Sequence, residues 1–232
     1  MSSSSNTAIL HANGEAAWDI SDEVLSVIKR EAKPGMVTLE TGAGQSTLAF
    51  LEAGTHHTSV APAKAEFEAI KAEAKERGLN VDNLECVEAM SQLALPAMDG
   101  PLDIVLIDGG HGFPIPAVDW AYLAPRLKTG GLMIVDDVDL WTGAMLKNFM
   151  KEDPAWEMEE VLRGRTAVFR LVEPFHLREW TNQPYVVKQS RWSQRFRKAK
   201  NLLKLVMTGQ FKAISAKMAN ERTLADAARN DY

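Results

Sequence analysis

Three carboxylates and a histidine close two apolar runs in this 232-residue chain. Asp108 ends LDIVLID (102–108), and His111 follows it in Gly109-Gly110-His111-Gly112. Asp136 and Asp137 end LMIVDD (132–137). A third run, MVTLE (36–40), ends in Glu40 and opens the turn Gly42-Ala43-Gly44. Neighbouring strands lie about 4.8 Å apart, so carboxylates at their ends crowd and repel. A hard divalent cation with oxygen ligands would relieve the repulsion. Mg2+ suits such a set better than Zn2+, because no Cys or His cluster has zinc spacing. Successive strand residues face opposite ways, so Asp136 and Asp137 share a metal only if the strand has already ended between them. Either one could instead cap the helix that begins near Trp141. His111, beside these acids, suits a general base near neutral pH; a structural loop histidine is the plainer alternative.

The elements that must carry these residues alternate. An amphipathic helix over 17–33, with Ser21 as N-cap and Asp22 and Glu23 in its first turn, ends at Pro34-Gly35. Strands are expected over 36–40, 56–61, 84–89, 102–108 and 132–136, each followed by a helix: 47–52, 63–77, 91–95, 116–127 and 141–151. Gly130-Gly131 reads as the turn before the fifth strand. IVLI and LMIV are apolar enough to be covered on both faces. Two last strands, 156–162 and 166–172, are joined only by Arg163-Gly164-Arg165, so they form an antiparallel hairpin. The pattern predicts an α/β fold: a doubly wound, mostly parallel seven-stranded sheet with a terminal antiparallel hairpin. Ligands in such sheets bind beyond the carboxyl ends of the strands, which puts Glu40, Asp108, His111, Asp136 and Asp137 around one crevice.

The glycine turn, ETGAGQST, lacks the third small residue of a dinucleotide fingerprint. It resembles motif I of the class I S-adenosylmethionine-dependent methyltransferases, and the resemblance extends over roughly residues 20–172, including the hairpin. It implies that Glu40, Gly42, Gly44 and Ser46 hold the amino-acid part of S-adenosylmethionine. The family usually has an acid at the end of the second strand for the ribose hydroxyls; here that place is Ala61, and the next carboxylate is Glu66. IDGGH and GGLMIVDD are similar to the metal-dependent O-methyltransferases of the catechol and macrolide-sugar types. That resemblance implies Asp108, Asp136 and Asp137 as Mg2+ ligands and His111 as the base for O-methylation of a small-molecule hydroxyl, a sugar or a phenol. Trp120 and Trp141 suit either pocket walls or core; His56 and His57 read as structural or surface residues. A non-catalytic methyltransferase-like scaffold and a metal-dependent hydrolase are the competing readings.

Bulk composition fits one soluble domain with an appendage. Apolar residues make up 46% and charged residues 25%, with no run long enough to cross a membrane. The first ten residues do not look like a secretory leader. The single cysteine, Cys86, excludes an internal disulfide and suits a reducing, cytoplasmic setting. Residues 1–16 read as a disordered lead, 17–172 as the methyltransferase-like domain and 173–232 as a basic helical extension. From Lys188 to Lys217 there are nine Lys/Arg and no Asp/Glu; with −5 overall, the remainder carries −14. The arm could pack on the acidic body, join two copies or touch a membrane surface; nucleic acid is disfavoured by the acidic body.

Overall fold

The computed structural model describes residues 20–207. The expected lead over 1–16, the first residues of the 17–33 helix and the tail beyond Met207 lie outside the described residues. In chain order the elements are α1 (Asp22–Glu31), β1 (Val37–Thr41), α2 (Gln45–Glu52), β2 (His56–Ala61), α3 (Lys64–Glu76), β3 (Leu84–Glu88), α4 (Ser91–Ala94), β4 (Leu102–Ile107), α5 (Ile115–Leu123), β5 (Leu127–Val135), α6 (Trp141–Glu152), β6 (Trp156–Leu162), β7 (Thr166–Leu171) and α7 (Pro184–Met207). The described residues up to Leu177 form one compact unit; α7 belongs to a second, which begins at Arg178. None of the described helices is long and apolar enough to cross a membrane.

The sheet order is β3-β2-β1-β4-β5-β7-β6, with β7 alone reversed, antiparallel to both β5 and β6, as in a doubly wound methyltransferase-like sheet. The apolar runs of β4, β5 and β7 explain why both faces are covered. Ile104 and Leu106, Leu132 and Ile134, and Val168 turn to one face and pack with Val24, Val27 and Ile28 of α1 and Phe50 of α2. Val105 and Ile107, Met133 and Val135, and Ala167 and Phe169 turn to the other and pack with Trp120, Leu123, Leu146 and Met150 of α5 and α6. Period-two alternation thus splits each run between two cores.

One turn is displaced from its expected place. Gly130 and Gly131 lie inside β5, which starts at Leu127. The register shifts between Leu102 and Ile104 opposite this stretch. Gly130 has φ +86°, and its carbonyl accepts from Arg170 Nη1 at 2.8 Å, so the glycine pair is a bulge within the strand.

The order reverses between β1 and β4, whose carboxyl ends therefore bound the crevice. Two glycines let the backbone close there. A Cβ on Gly42 (φ +103°) would lie 2.5 Å from the Asp108 carbonyl oxygen, and one on Gly143, inside α6, 2.3 Å from the Asp137 carbonyl oxygen. Gly42 is thus demanded by the neighbouring strand end, and Gly143 by the loop after β5.

Gly143→Ala is expected to destabilise the protein by about 1–3 kcal/mol through overpacking, although alanine is the better helix former. Gly112→Ala, whose Cβ would meet open space, should stay within about 0.5 kcal/mol of wild type. Urea denaturation midpoints at constant m-value check both.

Candidate active site

A cavity of about 350 Å³ opens at the strand ends. Its walls are Gly42–Ser46 after β1, Val60–Ala63 and Glu66 around the β2–α3 turn, Met90–Gln92 after β3, Asp108–His111 after β4, and Arg165 from the β6–β7 hairpin. Of the residues expected in the crevice, Gly42, Gly44, Ser46, Asp108 and His111 line this cavity.

Glu40 sits behind the glycine turn. It is buried, with Oε2 accepting from Ser46 Oγ at 2.5 Å and Oε1 accepting from Thr47 Oγ1 and facing His57 Nε2 at 3.1 Å. His57 is itself buried, bonded through Nδ1 to Thr38 Oγ1 at 2.8 Å and stacked on Phe50 at 4.5 Å. The carboxylate therefore fastens the first turn of α2 to the end of β1, and the Gly44 amide donates to Thr47 Oγ1 at 3.0 Å to finish the turn. His57 is structural; His56 is exposed.

The acids after β4 and β5 converge. The pairing of Ile107 with Val135 sets the two strand ends level. The strand has ended before both Asp136 and Asp137, and Asp137 takes a left-handed φ of +52°, which Asp tolerates better than most residues. His111 Nδ1 donates to Asp137 Oδ2 at 2.8 Å, which leaves Nε2 as the ring nitrogen able to accept a proton. Thr142 Oγ1 donates to the His111 carbonyl at 2.7 Å, tying the glycine loop to α6. Asp136 is buried and engaged elsewhere: it accepts from Thr166 Oγ1 and pairs with Arg165 Nη2 at 3.4 Å. Arg165 Nε also donates to Asp137 Oδ1 at 2.8 Å.

These contacts alter the expected metal set. Among the described residues, the group able to bring ligand atoms together is Asp108, His111 and Asp137, all within 4.8 Å of one another, without Asp136. Mg2+ favours near-octahedral oxygen ligation, whereas this group brings one nitrogen and two carboxylates. Both oxygens of Asp137 are engaged, by Arg165 and by His111. The residues present do not fit the Mg2+ clamp expected from Asp108, Asp136 and Asp137.

Arg165 and Thr166 were missed in sequence because a hairpin turn ordinarily faces solvent. The available signal was topological. A final strand antiparallel to β5 begins where β5 ends, as the Val135–Ala167 pair shows. Trp120 belongs to the core, edge-on to Phe149 and Phe175 at 5.1 Å, whereas Trp141 is exposed and meets exposed Phe113 at 5.9 Å.

Burial, then the negative charges of Asp136, Asp137 and Glu40, hold the Asp108 carboxyl well above the ordinary carboxylate range. The folded state therefore keeps a proton that the unfolded chain releases near pH 3.8. This contribution favours folding at low pH and is lost as pH rises toward the raised folded value. Asp108→Asn should accordingly lose less stability than wild type as pH rises above the ordinary carboxylate range, read from chelator-treated urea titrations.

Residues 39–138 match a family profile described as a methyltransferase domain. No curated protein matches the chain. Cofactor-bound Rv0187 from MTB is 20% identical with a TM-score of 0.54, covering 67% of this chain and 82% of its own. The Podospora anserina methyltransferase PaMTH1, bound to S-adenosylhomocysteine, is 16% identical with a TM-score of 0.56, covering 69% and 82%. An rRNA methylase from Streptococcus thermophilus is 12% identical with a TM-score of 0.52, covering 65% and 95%. The glycine turn, the seven-stranded order and the cavity at its switch point agree with these matches: residues 39–138 are similar to a methyltransferase domain, and the chain shares the fold of the solved structures.

Proposed function

We propose that the protein transfers the methyl group of S-adenosylmethionine to a hydroxyl oxygen of a small molecule, with His111 as the general base. The observation that carries this reading is His111, on the wall of the cavity that begins at the glycine turn, with its Nδ1 bonded to Asp137. The cavity falls within the range of small-ligand sites and joins the turn to the acid–histidine cluster. Gly42–Ser46, Ala61–Ala63 and Met90–Gln92 would hold S-adenosylmethionine, which supplies a methyl carbon made electrophilic by a positive sulfur.

The chain's own part is proton handling and alignment. His111 Nε2 takes the acceptor's hydroxyl proton, and Asp137 at Nδ1 holds the ring and steadies the imidazolium that forms. The freed oxygen pair forms the new carbon–oxygen bond as the carbon–sulfur bond breaks, and the pair of the broken carbon–sulfur bond leaves with sulfur. The products are the methyl ether, S-adenosylhomocysteine and protonated His111. Positioning supplies much of the rate. Phe113 and Trp141, close to the His111 loop, suit an acceptor with a flat or apolar ring. The −14 carried outside the basic arm disfavours a nucleic-acid acceptor. No step needs Mg2+: Arg165 and His111 already engage Asp137.

Calorimetry with S-adenosylmethionine, followed by a screen of phenolic and sugar hydroxyls, tests this reading. His111→Ala should keep cofactor affinity and lose about 10²- to 10⁴-fold in kcat. Absence of cofactor binding at millimolar concentration would sink the reading, and hydrolysis without methyl transfer would favour the hydrolase. Trp141→Ala should raise the acceptor KM by about two- to tenfold with kcat little changed.

A further inference from the structure

The one cation inside the acid cluster, among the described residues, is Arg165. Sheet topology puts it there. Because β7 runs antiparallel to β5, the hairpin residues before Ala167 lie beside the acids after Val135. The position is held from both sides: the Arg165 carbonyl accepts from Val138 N at 2.7 Å, and the next residue, Thr166, donates to Asp136. The guanidinium then spans two adjacent carboxylates, 2.8 Å from Asp137 Oδ1 and 3.4 Å from Asp136 Oδ2, while its side chain reaches the cavity wall.

Three properties of this contact matter. A guanidinium carries its charge throughout the usable pH range, so it cannot leave the cluster by losing a proton as a lysine or histidine can. Its planar fork bonds carboxylate oxygens directionally, which fixes how Asp137 is turned. With Oδ1 held by Arg165, Oδ2 is the oxygen that meets His111 Nδ1. A divalent cation approaching Asp137 would meet a positive charge at contact distance and would have to displace two bonds.

We propose that Arg165 is the resident cation of the acid cluster: it fills the role expected of a divalent metal, positions Asp137 for His111, and lets the site work metal-free. The proposal rests on the methyl-transfer reading only for what His111 does, and the charge exchange is tested without turnover.

The test is a Mn2+ titration of the chelator-treated full chain, followed by the electron paramagnetic resonance of free Mn2+ and by calorimetry. Wild type is expected to bind more weakly than a Kd of about 1 mM, and Arg165→Ala at least about tenfold more tightly than wild type. Adding Asp137→Asn to Arg165→Ala should abolish the gain. Arg165→Gln, which keeps polar bonding without the charge, should also gain Mn2+ affinity. An Arg165→Ala protein that folds only with Mn2+ would support the exchange. Wild-type binding tighter than about 1 mM overturns the proposal. So does unchanged affinity in both Arg165 variants, or a gain that survives Asp137→Asn. Should neither variant fold, the wild-type titration decides by itself. Methyl transfer that stops on chelation and returns with Mg2+ also overturns it. If no acceptor is ever methylated, the methyl-transfer reading falls while the titration result stands.

Discussion

Repulsion among Asp108, Asp136 and Asp137 is the constraint around which this end of the sheet is built. Parallel pairing sets the ends of β4 and β5 level, so three carboxylates leave adjacent strands in one small volume. Each neighbouring feature relieves that crowding. Asp137 inverts its backbone and turns toward His111; Asp136 turns toward Thr166; and Arg165 stands between the two. Gly143 keeps α6 bare where the inverted loop presses against it. The antiparallel hairpin, which could pass for a structural afterthought to five β-α units, is what delivers the cation.

The two halves of the cavity are organised differently. On the glycine-turn side, Glu40, Thr47 and His57 are buried behind the cavity, and Ser46, on its wall, donates to Glu40. Glu40, Ser46, Thr47 and His57 bond one another and hold the turn from behind, so the cavity there meets mainly backbone and small residues. A buried carboxylate with several hydrogen bonds is worth keeping for the rigidity it confers, since removing one partner strands the others. On the acid side Asp108, His111 and Arg165 line the cavity; His111 is bonded in turn to Asp137, and Arg165 is paired with both Asp136 and Asp137. On the proposed reading, binding would rest on a stiff, largely backbone surface, and proton transfer on a charged one.

Much of the fold was legible because it depends on short-range pattern. β2 and β6 begin and end where alternation and turn residues place them, and the three-residue link between β6 and β7 admits only a hairpin. Gly130-Gly131 was not legible as a bulge, because a glycine pair before an apolar run is equally good turn chemistry; what decides is the cross-strand shift at Leu102 and Ile104. In the site, the placement of Asp108, His111 and Asp137 at one crevice follows from strand ends alone. The inward turn of Glu40 does not, since its partners come from α2 and β2. Nor does Arg165, whose role depends on the register of a strand that follows it. Sequence pattern reports which residues share an end of the sheet; hydrogen-bond partners across elements decide which face the cavity.

The same partners make the site rigid before any ligand arrives. His111 is held at its ring by Asp137 and at its carbonyl by Thr142, one from the loop after β5 and the other from α6. Asp137 is held by Arg165, whose own backbone is bonded to Val138 in that same loop. The result is a closed circuit of contacts running from the loop through the hairpin and back, with no long free side chain in it. A glycine inside α6 costs about 1 kcal/mol of helix propensity relative to alanine, yet it lets this circuit close against the helix. If His111 is the base proposed above, a ring fixed in this way would lose little freedom on acceptor binding, and preorganisation of that kind is a means by which an active site lowers a barrier without a strongly polarising metal.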